Sequence, residues 1–335
     1  MNGKERIQAI LGGERPDRTP VFPLLMAFAA KRIGASYRDF ASNGSVMAQA
    51  QIHAHEVFHL DAITACSDAF RIAADLGAEM VFPEDKPPFA QAPLVTSAED
   101  LKRLKRPDVA NARGRMYDRA QGVKEMVNAV GKSCMVLGWV DMPFAEICSL
   151  CGVQNIMMMM YDEPELVHQL LDFVTSIVID FALLQIENGA EMIGCGDAAA
   201  SLISPEMYRE FALPYEQQVC EAIHHRQAKI KLHICGDTTA LLQDMVKSGA
   251  DLFNVDHMVD LKTAAETYGA KQLAFKGNLD PIGDILQASA EESYCRAKRC
   301  IQLTEGYRYI LSAGCEIPAE VEDEVFLAFC RAAEQ

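Results

Sequence analysis

Two residues in the segment KLHICGDTTALL, which runs from Lys231 to Leu242, are placed to do chemistry together: His233 and Cys235. The run KIKLHI leading into them reads as a short buried strand, and side chains two apart on a strand share a face. The pair can therefore aim at one ion if the chain stays extended through Cys235, and Gly236 lets it turn away without crowding the site. Much later, SAGCEIP holds Cys315 between Gly314 and Pro318. One imidazole and two thiolates form the donor set that favours Zn²⁺. Asp256 offers a fourth ligand in the resting state, and an open or exchangeable fourth position marks a catalytic ion. The paired CxxC hooks of structural zinc knuckles are absent.

Taken alone, the HxC pair fits core packing as well as metal binding, and both readings stand until Cys315 is shown to face it. The remaining histidines read as structural. His55 and His59 in QIHAHEVFHL have the helical i, i+4 spacing that zinc can use, but no third ligand accompanies them or His53. His224 and His225 end a helix, where a protonated imidazole favours the dipole. The run Met157–Met160 reads as a pliable core segment, with a groove for a flat cofactor as the alternative.

The elements that must position these residues alternate regularly. Strand candidates cover 20–25, 61–66, 133–139, 190–195, 229–234, 250–255, 271–277 and 307–312, with amphipathic helical patterns between them. Several helices are expected to stop on glycine: Gly189, Gly249, Gly269 and Gly306. Eight strands joined by helices predict an α/β fold, a (β/α)₈ TIM barrel forming a single domain over 1–335. AEMVFP and FAQAPLV predict a small hairpin inserted after the second strand. A barrel carries its chemistry at the C-terminal strand ends. Those positions hold Asp68, Asp141, Asp197, His233 and Cys235, Asp256 and His257, Asn278 and Asp280, and Cys315. In a closed barrel the fifth and eighth strand ends face one another across the mouth, so Cys315 can join the HxC pair. No GxGxxG follows a strand and no GxxxxGK[ST] occurs, which leaves nucleotide binding unsupported.

Half of the residues are hydrophobic, enough for a sizeable core. The net charge of −16 repels nucleic-acid backbones and anionic lipid. No apolar run of membrane-spanning length is evident, and MNGKERIQAILGG reads as an amphipathic helix, so a cytoplasmic location is expected with neither a nucleic-acid nor a membrane partner. In that compartment eleven cysteines are not a disulfide framework.

Four segments together resemble the uroporphyrinogen decarboxylase superfamily: ERIQAILGGERPDRTPV, LDAITACSD, ENGAEMIGCGDAAASLISPEMYREFALPY and FKGNLDP. The resemblance runs essentially end to end and also implies a (β/α)₈ barrel. The decarboxylases carry an arginine-rich RQAGR motif after the first strand and a late histidine in a GHGI-like segment. Here those places hold LLMAFAAKRIGAS and AGCEIP, and Lys31 and Arg32 are a poor substitute for a bidentate carboxylate clamp. The zinc methyltransferases of the superfamily, including the methylcobamide:coenzyme M methyltransferases, carry HxC on the fifth strand and a distant cysteine on the eighth. His233, Cys235 and Cys315 match that pattern, and Asp256 matches a carboxylate position that can act as a fourth ligand. The resemblance implies zinc as cofactor and a corrinoid, borne by a separate corrinoid protein, as co-substrate. The second substrate is then a small-molecule methyl acceptor, most simply a thiol. The reverse half-reaction, from a methyl ether or methylamine donor to the corrinoid, is an alternative. So are a metal-free tetrapyrrole decarboxylase and a non-catalytic tetrapyrrole-binding barrel. Asp68 and Asp197 are expected as catalytic groups lining the mouth, Asn278 and Asp141 as contacts to the cofactor, and a homodimer is compatible with the reading.

Overall fold

The computed structural model of the protein describes residues 1–334. In chain order its strands are β1 (Ala62–Thr64), β2 (Met80–Val81), β3 (Phe89–Ala90), β4 (Met135–Asp141), β5 (Met192–Gly196), β6 (Lys229–His233), β7 (Leu252–Asn254), β8 (Ala274–Leu279) and β9 (Tyr309–Ala313). Seven of them form one parallel sheet in the order β1-β4-β5-β6-β7-β8-β9, and β2 pairs with β3 as the expected hairpin. Each barrel strand except the first falls within three residues of its expected span.

The first expected strand, 20–25, is reduced to two isolated bridges, Val21 with Leu311 and Leu24 with Glu316. Pro20 and Pro23 carry no amide hydrogen and cannot extend a ladder. The segment still closes the barrel. Phe22 N donates to Leu311 O (3.0 Å) and Leu311 N to Pro20 O (2.8 Å), while Asp61 N donates to Val21 O (2.9 Å) on the other side. The buried Asp61 carboxylate fixes this stave by accepting from Val21 N at 2.7 Å, from both terminal nitrogens of Arg18, and from Arg6.

The core has two bodies. At the N-terminal end of the barrel, Phe22, Met135, Leu137, Met192, Leu252 and Ile310 fill the interior, and Ile7 and Ile10 of helix Gly3–Gly12 plug it from below. A larger apolar layer lies between the strands and the outer helices. Helix Pro164–Glu187 is long and apolar enough to cross a bilayer by length and composition, but it serves as a core helix, packed on β4 and on helix Leu213–His224. Gly189, Gly249 and Gly306 take positive φ at their stops as expected. Gly269 does not; its missing side chain leaves room for the Tyr307 ring.

Candidate metal centre

His233 is the last residue of β6 and points into the barrel mouth. Its Nδ1 lies 3.5 Å from the Asn254 carbonyl at the end of β7, which turns Nε2 toward Cys235 Sγ at 3.1 Å. A proton on Nδ1 leaves the Nε2 lone pair free for a metal. Gly236, at φ +87°, carries the chain away immediately after Cys235.

Cys315 arrives from the far side, two residues past β9. Its approach depends on Gly314, where a Cβ would stand 2.4 Å from His257 N and 3.0 Å from Asp256 C. Only glycine lets the two loops lie this close. Gly314 N donates to Leu279 O (2.8 Å), and Asn254 Nδ2 donates to Gly314 O (2.9 Å). One asparagine on β7 therefore touches both halves of the site, His233 through its carbonyl and the Cys315 loop through its amide.

The ligand atoms of His233, Cys235 and Cys315 all lie within 4.8 Å of one another, and the two sulfurs are 3.7 Å apart. Two sulfurs each about 2.3 Å from a tetrahedral ion stand about 3.8 Å apart, and the corresponding sulfur–nitrogen edge is about 3.6 Å. The sulfur–sulfur edge matches such a tetrahedron, and the 3.1 Å edge from Cys235 to His233 would open by about 0.5 Å around an ion. The hydrogen bond between the sulfurs, with the His233 ring beside it, pulls the Cys315 thiol down to about 3 against the cost of burial. Cys235 is pushed up by the same bond and by burial.

The other expected residues are placed differently. Asp256 stands outside the three-donor cluster, its Oδ1 held by the His257 ring at 2.9 Å and by Met258 N at 3.1 Å. Asp68 has no exposed side-chain surface and is gripped by the Arg115 fork at 2.9 and 2.8 Å. Burial works against its charge, but Arg115 outweighs burial and holds the carboxyl well below the usual range. Asp141 ends β4 in an ion pair with the buried Arg71 at 2.6 Å; burial raises it to about 6 although Arg71 pulls the other way. Asp197 is fully buried and faces Glu216 on helix Leu213–His224 rather than the mouth. Asp197 makes no well-aligned hydrogen bond of its own, and Glu216 accepts from the Tyr208 hydroxyl at 2.6 Å. Burial raises the Glu216 carboxyl to about 7 and the Asp197 carboxyl well above its usual range, so the facing pair holds a proton. Asn278 Nδ2 donates to Val259 O at 2.6 Å and so ties β8 to the loop after β7.

Three other histidines make local contacts outside this cluster. His55 Nδ1 meets Leu60 O, His59 is the left-handed cap of helix Gly44–Phe58, and His224 pairs with Asp251. Cys148 and Cys151, the one CxxC of the chain, are buried in helix Pro143–Cys151. A cleft of about 890 Å³ lies at the opposite end of the barrel, lined by residues such as Gly13, Arg15, Gln272 and Arg308, away from the three donors. Sequence reasoning passed over Arg71, Arg115, Asn254, Glu216 and the buried Lys231 and Lys276. For Lys231 the signal was available, because it alternates with His233 along one strand and must share its face.

A sequence profile of the uroporphyrinogen decarboxylase (URO-D) family matches residues 2–335. The chain is 28% identical to the uroporphyrinogen decarboxylase of Nostoc sp. (strain PCC 7120) over 340 residues, covering 96% of this chain and 94% of that protein. It is equally 28% identical to the methylcobamide:CoM methyltransferase MtbA of Methanosarcina mazei over 323 residues, covering 94% and 92%. Among solved structures, a methyltransferase from Methanosarcina mazei superposes with a TM-score of 0.89 at 24% identity, covering 99% of this chain and 98% of its own. The barrel, its closure and the end-to-end match agree, and the chain belongs to the uroporphyrinogen decarboxylase family.

Proposed function

We propose that the protein is a zinc-dependent methyltransferase that moves a methyl group from a corrinoid, carried by a separate protein, to a small thiol. The observation that carries this reading is the 3.7 Å sulfur–sulfur edge of Cys235 and Cys315, with the His233 ring beside it. His233, Cys235 and Cys315 would hold the ion and leave one corner of the tetrahedron for substrate, with Asp256 next to it. Zn²⁺ bound there supplies Lewis acidity that lowers the pKa of a thiol toward neutrality. In the transfer an S–C bond forms and the Co–C bond breaks; the electron pair stays on cobalt and the thiol proton leaves to solvent.

The chain's own residues prepare this chemistry. Asn254 orients His233 and fixes the Cys315 loop. Asp68 and Asp141, neutralised by Arg115 and Arg71, make the mouth rigid rather than supplying free carboxylates. The loops after β5, β7 and β8 expose Leu202, Met258 and Ile282 at 64%, 59% and 46%, an apolar rim suited to a docking corrinoid protein.

The metal-free tetrapyrrole decarboxylase reading lacks its carboxylate clamp. Arg32 lies 3.6 Å over the Phe28 ring and binds Ala319 O, Val321 O and Asp323. Arg71 and Arg115 are engaged by Asp141 and Asp68.

Metal content and anaerobic methyl transfer from methylcobalamin to thiols, followed by the corrinoid spectrum, test the proposal together. About one zinc per chain is expected, and His233→Ala or Cys315→Ala should lose both zinc and transfer. Full transfer by metal-free protein would end this reading, as would formation of coproporphyrinogen by chelated enzyme. Transfer only from a methyl ether or methylamine would reverse its direction.

A further inference from the structure

Seven of the eleven cysteines are buried, Cys295 is exposed, and Cys235, Cys300 and Cys315 are half-buried. The buried thiols are closed to an oxidant arriving from solvent. Among the described residues, Cys235 and Cys315 are the one pair of thiols in hydrogen-bond contact, with their sulfurs 3.7 Å apart. They are separated by 80 residues of sequence and reach the mouth from the ends of β6 and β9. The contacts that bring them together belong to the chain. Asn254 Nδ2 holds the Cys315 loop through Gly314 O at 2.9 Å, and the Asn254 carbonyl lies 3.5 Å from His233 Nδ1. The bare Cα of Gly314 lets the same loop close on Asp256 and His257. A disulfide needs the sulfurs at about 2.05 Å. A change of rotamer at either cysteine moves its sulfur farther than the remaining gap.

We propose that Cys235 and Cys315 form a redox switch: a hydroperoxide joins the metal-free pair as a disulfide that takes up no zinc, and a dithiol reductant reopens the site. The switch rests on the proposed function, since it regulates the site assigned there. One sulfur attacks hydrogen peroxide, the O–O bond breaks, and a sulfenic acid and a molecule of water form. The second sulfur then displaces the sulfenic oxygen. The S–S bond forms, the S–O bond breaks, and a second water leaves with the remaining thiol proton. In sum the two thiols lose two electrons and two protons, and the peroxide becomes two molecules of water. The reductant returns both by thiol–disulfide exchange and is itself oxidised to a disulfide. Zinc and the S–S bond compete for the same sulfur electron pairs, so the loaded site resists the oxidant and the closed site excludes the ion.

Peptide mapping by mass spectrometry tests this on zinc-loaded and chelator-stripped protein treated with hydrogen peroxide, with zinc uptake measured before and after dithiothreitol. The stripped protein should yield a peptide pair joining Cys235 to Cys315, at a rate at least about tenfold above that of the loaded protein. The crosslinked protein should take up less than about a tenth of the zinc bound by the reduced protein, and dithiothreitol should restore the rest. Cys315→Ser should leave Cys235 as a sulfenic acid that dimedone traps, and Cys235→Ser gives the converse should the first variant not fold. Cys295→Ser, at the exposed cysteine, should crosslink as the unaltered protein does. Thiols that stay reduced, a crosslink through another cysteine, equal rates with and without zinc, or full zinc uptake by the crosslinked protein would each overturn the proposal. If zinc guards the pair and the crosslink reverses in a protein that transfers no methyl group, the switch stands and the proposed function fails. If zinc and transfer are as proposed but the stripped pair does not join, the function stands and the switch fails.

Discussion

Gly314→Ala perturbs the three-donor site without removing a donor. The new Cβ would stand 2.4 Å from His257 N, 3.0 Å from Asp256 C and 3.1 Å from Asp256 Cα, all main-chain atoms that cannot swing aside. Ordinary contacts of this kind begin at 3.4 Å, so the loop bearing Cys315 must retreat by about 1 Å. Metal–sulfur distances tolerate deviations of only about 0.2 Å. The same retreat stretches the 2.9 Å bond from Asn254 Nδ2 to Gly314 O. Overpacking of this size costs about 1–3 kcal/mol, which for a chain of this length is a fall of a few degrees in Tm. The barrel should therefore stay folded while zinc affinity drops about 10- to 100-fold, the range seen when groups that orient ligands are disturbed. Competition with a chromophoric chelator, beside a melting curve, measures both quantities. Gly12→Ala, whose added methyl meets nothing within 4 Å, is the matched control. A folded Gly314→Ala protein with wild-type zinc affinity would refute the reasoning, because the donors would then not depend on the close approach of the two loops.

Other predictions address the groups around the site. Burial raises the Glu216 carboxyl to about 7 from an ordinary 4.5. The folded state therefore holds the extra proton, and stability falls as pH rises between those values, by up to about 3 kcal/mol. Glu216→Gln should reduce that slope in denaturant titrations at pH 5 and pH 8, the part that is left belonging to Asp197; an unchanged slope would place the ionisation elsewhere. Arg115→Ala strands the buried Asp68 carboxylate and should cost about 3–5 kcal/mol, with Arg115→Ala/Asp68→Ala recovering much of the loss, measured by urea unfolding. Asp61→Ala frees Arg18 and the Val21 amide where the first stave closes the barrel. It should destabilise by about 3 kcal/mol and speed amide exchange at Val21 and Phe22, with zinc content unchanged.

The barrel was legible because its strands are short apolar runs separated by helical periodicity, a signal that survives without tertiary information. The exception, 20–25, failed for a local reason, the two prolines, while the closure depends on Asp61, whose partners are remote in sequence. The three donors were legible for opposite reasons. His233 and Cys235 announce themselves by spacing, whereas Cys315 becomes meaningful only once the ends of β6 and β9 are placed across a common mouth. The carboxylates were harder to read, since a strand-end aspartate looks the same in sequence whether it is free, gripped by arginine or turned behind the strand. Asp68 is held by an arginine from helix Arg115–Val130, and Asp197 shares a proton with a glutamate on helix Leu213–His224. No local pattern encodes either partner.

This distribution of charge bears on how one family scaffold comes to serve two chemistries. A site for a tetrapyrrole with several carboxylates needs free guanidinium groups at the mouth. Here the mouth arginines Arg71 and Arg115 are consumed by the chain's own aspartates, and Arg32 is folded back against Phe28 and the segment 319–323. One layer deeper lie two fully buried lysines, Lys231 and Lys276, whose charge burial disfavours, beneath a pair of cysteines drawn together by Gly314 and Asn254. Pairing the rim arginines with aspartates and bringing the sulfurs together are, under the proposed function, changes of the same kind: each removes a grip on a large polyanion and leaves a three-donor site for one small ligand. Restoring a rim arginine alone, for example by Asp141→Asn to release Arg71, would leave both the sulfur pair and the buried lysines in place. On the proposed function, such a variant should bind zinc as the unaltered protein does while gaining no tetrapyrrole decarboxylation.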